Sequence, residues 1–83
     1  MKNATKLPPE QRKALILSAA IEVANKKSLA EVSFGSVSTE CTMKTTPRTV
    51  AHYFKIGELR KAIVADVRSS QEVRQEAVAM GIG

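Results

Sequence analysis

The stretch from Ala14 to Ala24, "ALILSAAIEVA", constrains the fold more than any other part of the chain. Only Ser18 and Glu22 interrupt its apolar residues. Ala14, Leu17, Ile21 and Ala24 line one row at helical spacing, and Ile16, Ala19, Ala20 and Val23 line the adjacent row. Together they make the wide apolar face of a helix that must be packed against something. Pro9 suits the first turn of that helix, where its missing N–H leaves no bond unmade. Glu10 suits the positive end of the helix dipole, and Lys26 and Lys27 suit the negative end. The spacing therefore predicts a first helix from Pro9 to about Lys27.

The remainder also reads as helical. "SLAEVS" turns the chain, and Ser33 is a good N-cap. Phe34, Val37 and Cys41 follow at the spacing of a short second helix. Thr46 can cap a third helix that has Pro47 at its first position. In that helix Val50 and Phe54, four residues apart, point inward, and Gly57 ends it. From Glu58 to Met80 no residue breaks a helix, and Leu59, Ile63, Val67, Ser70, Val73, Ala77 and Met80 trace an imperfect stripe. The expected fold is all-α: a small helix-turn-helix bundle of three short helices plus a longer C-terminal helix. Residues 1–8 form a flexible basic arm and residues 9–57 a three-helix unit with the helix-turn-helix at about 33–55. Residues 58–80 form the last helix, and residues 81–83 a frayed tail.

Size and charge narrow the function. Eighty-three residues hold one core and no second domain. The net charge of +5 raises the expectation of a polyanionic partner, nucleic acid or an anionic membrane surface. One cysteine, Cys41, excludes an intrachain disulfide and reads as a buried apolar filler. The N-terminal residues lack the apolar stretch of a signal peptide, and no run approaches the ~20 apolar residues of a membrane span. The expected setting is the cytoplasm.

The stretch from Lys44 to Phe54, "KTTPRTVAHYF", carries the functional reading. Two short helices joined by a brief turn, with core positions at Phe34, Val37, Cys41, Met43, Val50 and Phe54, match a helix-turn-helix. The second helix of that motif lies in the DNA major groove. With Val50 and Phe54 turned inward, Pro47, Arg48, Thr49, Ala51, His52 and Tyr53 are spread over the remaining surface. Arg48 can donate a bidentate pair to guanine, Thr49 and His52 can reach base edges, and Tyr53 can reach the sugar-phosphate wall. The helix start near Thr45 and Thr46 suits an anion. Lys44, Arg48, Lys55, Arg60 and Lys61 face one acid, Glu58, along this part of the chain. Lys2, Lys6, Arg12 and Lys13 make the N-terminal residues basic as well.

The segment "RKALILSAAIEVANKKSLAEVSFGSVSTEC" followed by "TVAHYFKIGEL" resembles the N-terminal DNA-binding domain of TetR-type transcriptional regulators. Arg12, Ile16, Leu17, Ala19, Ala20, Ser33, Val37, Val50, Tyr53, Phe54 and Leu59 occupy matching places, over roughly Arg12 to Val67. The resemblance implies operator binding as a dimer. Ser33, Tyr53 and a nearby lysine, Lys55, would lie on phosphates, and Arg48, Thr49 and His52 near bases. The sequence departs from the family pattern where Cys41 and Thr42 replace an Ala-Gly pair, where Ala51 replaces a tyrosine, and where Gly57 replaces a lysine. The family's large ligand-binding domain is missing, so no small-molecule effector is expected.

The expected DNA-binding set is thus Ser33, Lys44, Thr45, Thr46, Pro47, Arg48, Thr49, His52, Tyr53 and Lys55. A homodimer seam is expected along Ile63, Val67, Ser70, Val73, Ala77 and Met80, because a long isolated helix needs a surface to pack on. A twofold pair would set two recognition helices about 34 Å apart, one DNA turn. No catalytic set, metal site or cofactor is expected: His52 is the sole histidine, and no P-loop or nucleophile elbow occurs. The reading is a regulator of phage or plasmid type, a repressor among other possibilities. The alternatives are a protein-interaction adaptor or anti-repressor, and an architectural DNA-binding protein for recombination or packaging.

Overall fold

The structure, a computed structural model, describes residues 8–42 and 44–82. The expected basic arm up to residue 7, the core position at Met43 and the last tail residue lie outside the described residues. Among the described residues there are five α-helices, one 3-10 turn and no strand.

Helix α1 spans Pro9–Lys26 with proline at its start. The Pro8 carbonyl accepts from the N–H groups of Gln11 and Arg12, both at 3.0 Å. Ile16, Ala19, Ala20, Ile21, Val23 and Ala24 are buried, whereas Ala14 is exposed and Leu17 half-buried. The core face is therefore centred on the second of the two apolar rows. Its alanines are small enough to let other helices come close.

"SLAEVS" does more than turn the chain. Ser28 caps a 3-10 turn at Leu29–Glu31, and Leu29 and Val32 are both fully buried. Helix α2 spans Phe34–Glu40. Ser33 caps it as expected, in a reciprocal pair with Ser36: the Ser36 N–H donates to Ser33 Oγ at 3.1 Å, and the Ser33 N–H donates to Ser36 Oγ at 2.9 Å. Val37 is buried, but Phe34 and Cys41 are only half-buried against the core. Cys41 has left the helix for extended backbone, which corrects its reading as a buried filler on the helix stripe.

Helix α3 spans Pro47–Tyr53 and packs mainly on α2. Thr46 caps it, its hydroxyl accepting from the Thr49 N–H at 3.2 Å. The expected end at Gly57 is not observed. Phe54 takes extended backbone and closes the helix, and Gly57 lies in the first turn of α4, Ile56–Ala65. That extended step lets the Phe54 ring enter the core while α4 sets off in a new direction.

The largest difference from expectation is in the last third. The helix expected across residues 58–80 is broken into α4 and a separate α5, Gln71–Ala79. Asp66 and the serines between them hydrogen-bond to nearby backbone, which competes with helix continuation. The Asp66 carboxylate accepts from the Arg68 N–H at 2.9 Å, the Ser69 hydroxyl donates to the Asp66 carbonyl at 2.8 Å, and Ser70 Oγ caps α5 through the Val73 N–H at 3.2 Å. Asn25 on α1 grips the same turn, donating to the Arg68 carbonyl at 3.0 Å and accepting from the Ser70 N–H at 2.9 Å. Glu76 on α5 reaches back to the 3-10 turn and accepts from the N–H groups of Leu29 at 2.6 Å and Ala30 at 2.9 Å.

The fold-back puts Leu59 and Ile63 of α4 and Val73 and Ala77 of α5 into one core with α1. It encloses part of the expected dimer seam. Ile63, Val73 and Ala77 are enclosed within the chain, Ser70 serves as a helix cap, and Val67 is 89% exposed in the turn. Met80 is 40% exposed. The residues after α5 are also more ordered than a frayed end. Gly81 has φ of 79°, the Gly81 N–H donates to the Val78 carbonyl at 3.1 Å, and the Ile82 N–H donates to the Ala77 carbonyl at 2.8 Å. This is a Schellman termination, with Ile82 packed against the core.

Candidate functional site

The orientation of α3 follows from two side chains. Val50 is fully buried and Phe54 is 8% exposed, so the opposite flank of the helix must face outward. Pro47, Arg48, Ala51 and His52 are exposed on it, with Thr49 and Tyr53 half-buried at its margins. The His52 and Tyr53 rings meet edge to face, their centroids 5.7 Å apart. Their positions on the helix are thereby coupled.

Arg48, Thr49, His52 and Tyr53 line one open, shallow concavity together with Ala51 and with Arg12 from α1. The remaining expected site residues do not line it. Lys44, Thr46, Pro47 and Lys55 are exposed elsewhere on the surface, and Thr45 is half-buried with its hydroxyl oxygen enclosed and unpartnered. Some hydroxyls expected to meet a ligand are engaged in capping. Thr46 Oγ1 accepts the Thr49 N–H and lies 3.1 Å from Thr49 Oγ1, while Ser33 Oγ belongs to the α2 cap.

Arg12 entered the sequence reading as part of the basic N-terminal segment and as a match to the TetR-type pattern, without a contact assigned to it. Its spacing held more information, because Arg12 lies four residues before fully buried Ile16 and so shares a face with it. What sequence could not give is that α3 ends against the start of α1. The contact is visible where Lys13 Nζ sits 5.2 Å from the centroid of the Phe54 ring.

The ion pairs lie away from this surface. Lys26 bridges α1 to α2 through Glu40 at 2.8 Å and also pairs with Glu22 at 3.4 Å; these two carboxylates raise its pKa above the ordinary 10.5. Asp66 pairs with Arg68 at 3.0 Å, and the guanidinium and N–H of Arg68 hold its carboxyl at about 2, below the ordinary 3.8. None of the ion pairs among the described residues employs Arg12, Arg48 or Lys55. Among the described residues no group of three His, Cys, Asp or Glu side chains is placed to hold a metal, and no helix is long and apolar enough to cross a membrane.

In comparison with known proteins, the chain matches no family model, no curated protein and no solved structure. The molecule is a small all-α bundle whose short helix α3 turns a donor-rich flank outward.

Proposed function

We propose that the chain is a sequence-specific double-stranded DNA-binding regulator of transcription that inserts α3 into the major groove and acts as a homodimer. The observation that carries this reading is the division of α3 into a buried edge, Val50 and Phe54, and an outward flank bearing Arg48 and His52. A helix of seven residues is roughly 10 Å long, comparable to the ~12 Å width of the major groove. Arg48 has no acid partner among the described residues, so a guanine edge would not compete with an existing ion pair. Thr46 and Pro47 preset the helix start, which keeps the ordering of α3 from being deferred to the moment of binding.

Selection of bound duplexes from a random-sequence library tests the proposal. The expected outcome is a palindromic consensus with half-sites about one helical turn, ~34 Å, apart. Recovery of an unenriched library would remove sequence-specific recognition, and a consensus without twofold symmetry would remove the dimer.

A further inference from the structure

We infer that the concavity between α1 and α3 seats a phosphodiester of one DNA strand, with Arg12 as its principal charge and the Tyr53 hydroxyl as a second donor. This deepens the reading of α3 as a DNA-binding helix and rests on it. Arg12 then holds the strand from α1 while Arg48 and His52 remain available to the bases.

The chemistry of the lining selects an anion. Arg12, Arg48, Thr49, His52 and Tyr53 all bring hydrogen-bond donors, Ala51 brings only a methyl group, and no carboxylate lines the surface. Arg12 takes part in no ion pair among the described residues, so the site is not neutralised internally. An arginine is suited to the role because its planar fork matches two phosphate oxygens at once.

The backbone at Arg12 is set before any ligand arrives. Its N–H is bonded to the Pro8 carbonyl at 3.0 Å, the residue is half-buried, and the neighbouring Lys13 lies over the Phe54 ring at the end of α3. The start of α1 and the end of α3 therefore form one wall.

The shape favours a strand over a small free anion. The depression is open and shallow, which suits a chain of diesters passing across it, whereas a free phosphate needs enclosure to replace its water. The second helix of the motif, in the groove, and the first turns of α1, beside the backbone, would then grip the same duplex.

Fluorescence anisotropy with a labelled mixed-sequence duplex, over a series of KCl concentrations, tests the assignment. Each phosphate neutralised adds about 0.9 to the steepness with which log affinity falls against log salt. Arg12→Gln is expected to make that fall shallower by about 0.9 for each bound protomer, about 1.8 for a dimer, with an unchanged helical circular dichroism spectrum. Arg12→Lys is expected to keep the wild-type slope and bind several-fold more weakly, since an ammonium lacks the fork. If wild type binds and Arg12→Gln keeps its slope, the phosphate site is wrong while the DNA reading stands. Should Arg12→Gln fail to fold, undiminished affinity in Arg12→Lys would be the overturning result. Displacement of duplex by inorganic phosphate beyond the effect of KCl at equal ionic strength would also overturn it, in favour of a small-anion site. Absence of any duplex binding by wild type would end the DNA reading and this assignment together.

Discussion

Arg48 and Val50 sit two positions apart on α3 and face opposite ways, so they separate recognition from stability. Arg48 is exposed, and its replacement by alanine should leave the fold intact. On the preferred duplex Arg48→Ala is expected to cost about 1–3 kcal/mol and to relax discrimination at one base pair. Binding measured against a set of single-base variants reads both effects. An undiminished preference at every position would show that Arg48 does not read bases. Val50 is fully buried, and Val50→Ala removes two methyl groups from the core beneath α3. The expected loss is about 2 kcal/mol, seen as a lower urea midpoint. Lys55, exposed at the α3–α4 junction, should behave as neither: Lys55→Ala should weaken all duplexes alike.

At the scale of elements, the α4–α5 break is the feature with the clearest cause. A single helix through residues 66–70 would keep its own backbone bonds, but it would carry Val73 and Ala77 away from α1. The observed turn recovers hydrogen bonds from Asp66, Ser69, Ser70 and Asn25, and adds apolar burial on both new helices. Glu76 then ties α5 to the 3-10 turn through two backbone N–H groups. Glu76→Ala leaves those donors without their carboxylate and is expected to cost about 2 kcal/mol in denaturant unfolding, with amide exchange rising first at Leu29 and Ala30. Equal protection at those amides in the variant would show that water replaces Glu76 without penalty. By contrast, α3 depends on local chemistry, through its Thr46 cap and Pro47, and it has few neighbours other than α2.

For the whole molecule, pH and concentration are the informative variables. Asp66 has its pKa lowered from 3.8 to about 2 in the folded chain, first through the hydrogen bond from the Arg68 side chain. A lowered carboxylate pKa stabilises the fold above the unfolded value, and that contribution is lost as pH falls from 3.8 through about 2. The unfolding midpoint is expected to drop over that window, and Asp66→Asn should flatten the drop. Lys26 acts in the opposite direction: its pKa is raised by Glu40 and Glu22, so its contribution is present below 10.5 and is lost at higher pH. Self-association is tested separately by sedimentation equilibrium. A homodimer predicts a mass rising with concentration from 9.0 kDa towards twice that value, whereas a constant 9.0 kDa would show a monomer. Any pairing surface must do without Ile63, Val73 and Ala77, which are already enclosed.

Sequence alone determined where the first three helices begin and how α3 is turned. Pro9, Ser33 and the Thr46–Pro47 pair act within a single turn of backbone, and the Val50–Phe54 spacing fixes a helix edge by geometry. Tertiary structure decided the ends of α3 and α4, the burial of Leu29 and Val32, and the meeting of Arg12 with α3. The physical reason is separation along the chain. Asn25 reaches Ser70 across 45 positions and Glu76 reaches Leu29 across 47, so no local pattern announces either bond. An apolar stripe states that a face must be covered, and only the packed molecule determines whether its own chain or another supplies the cover.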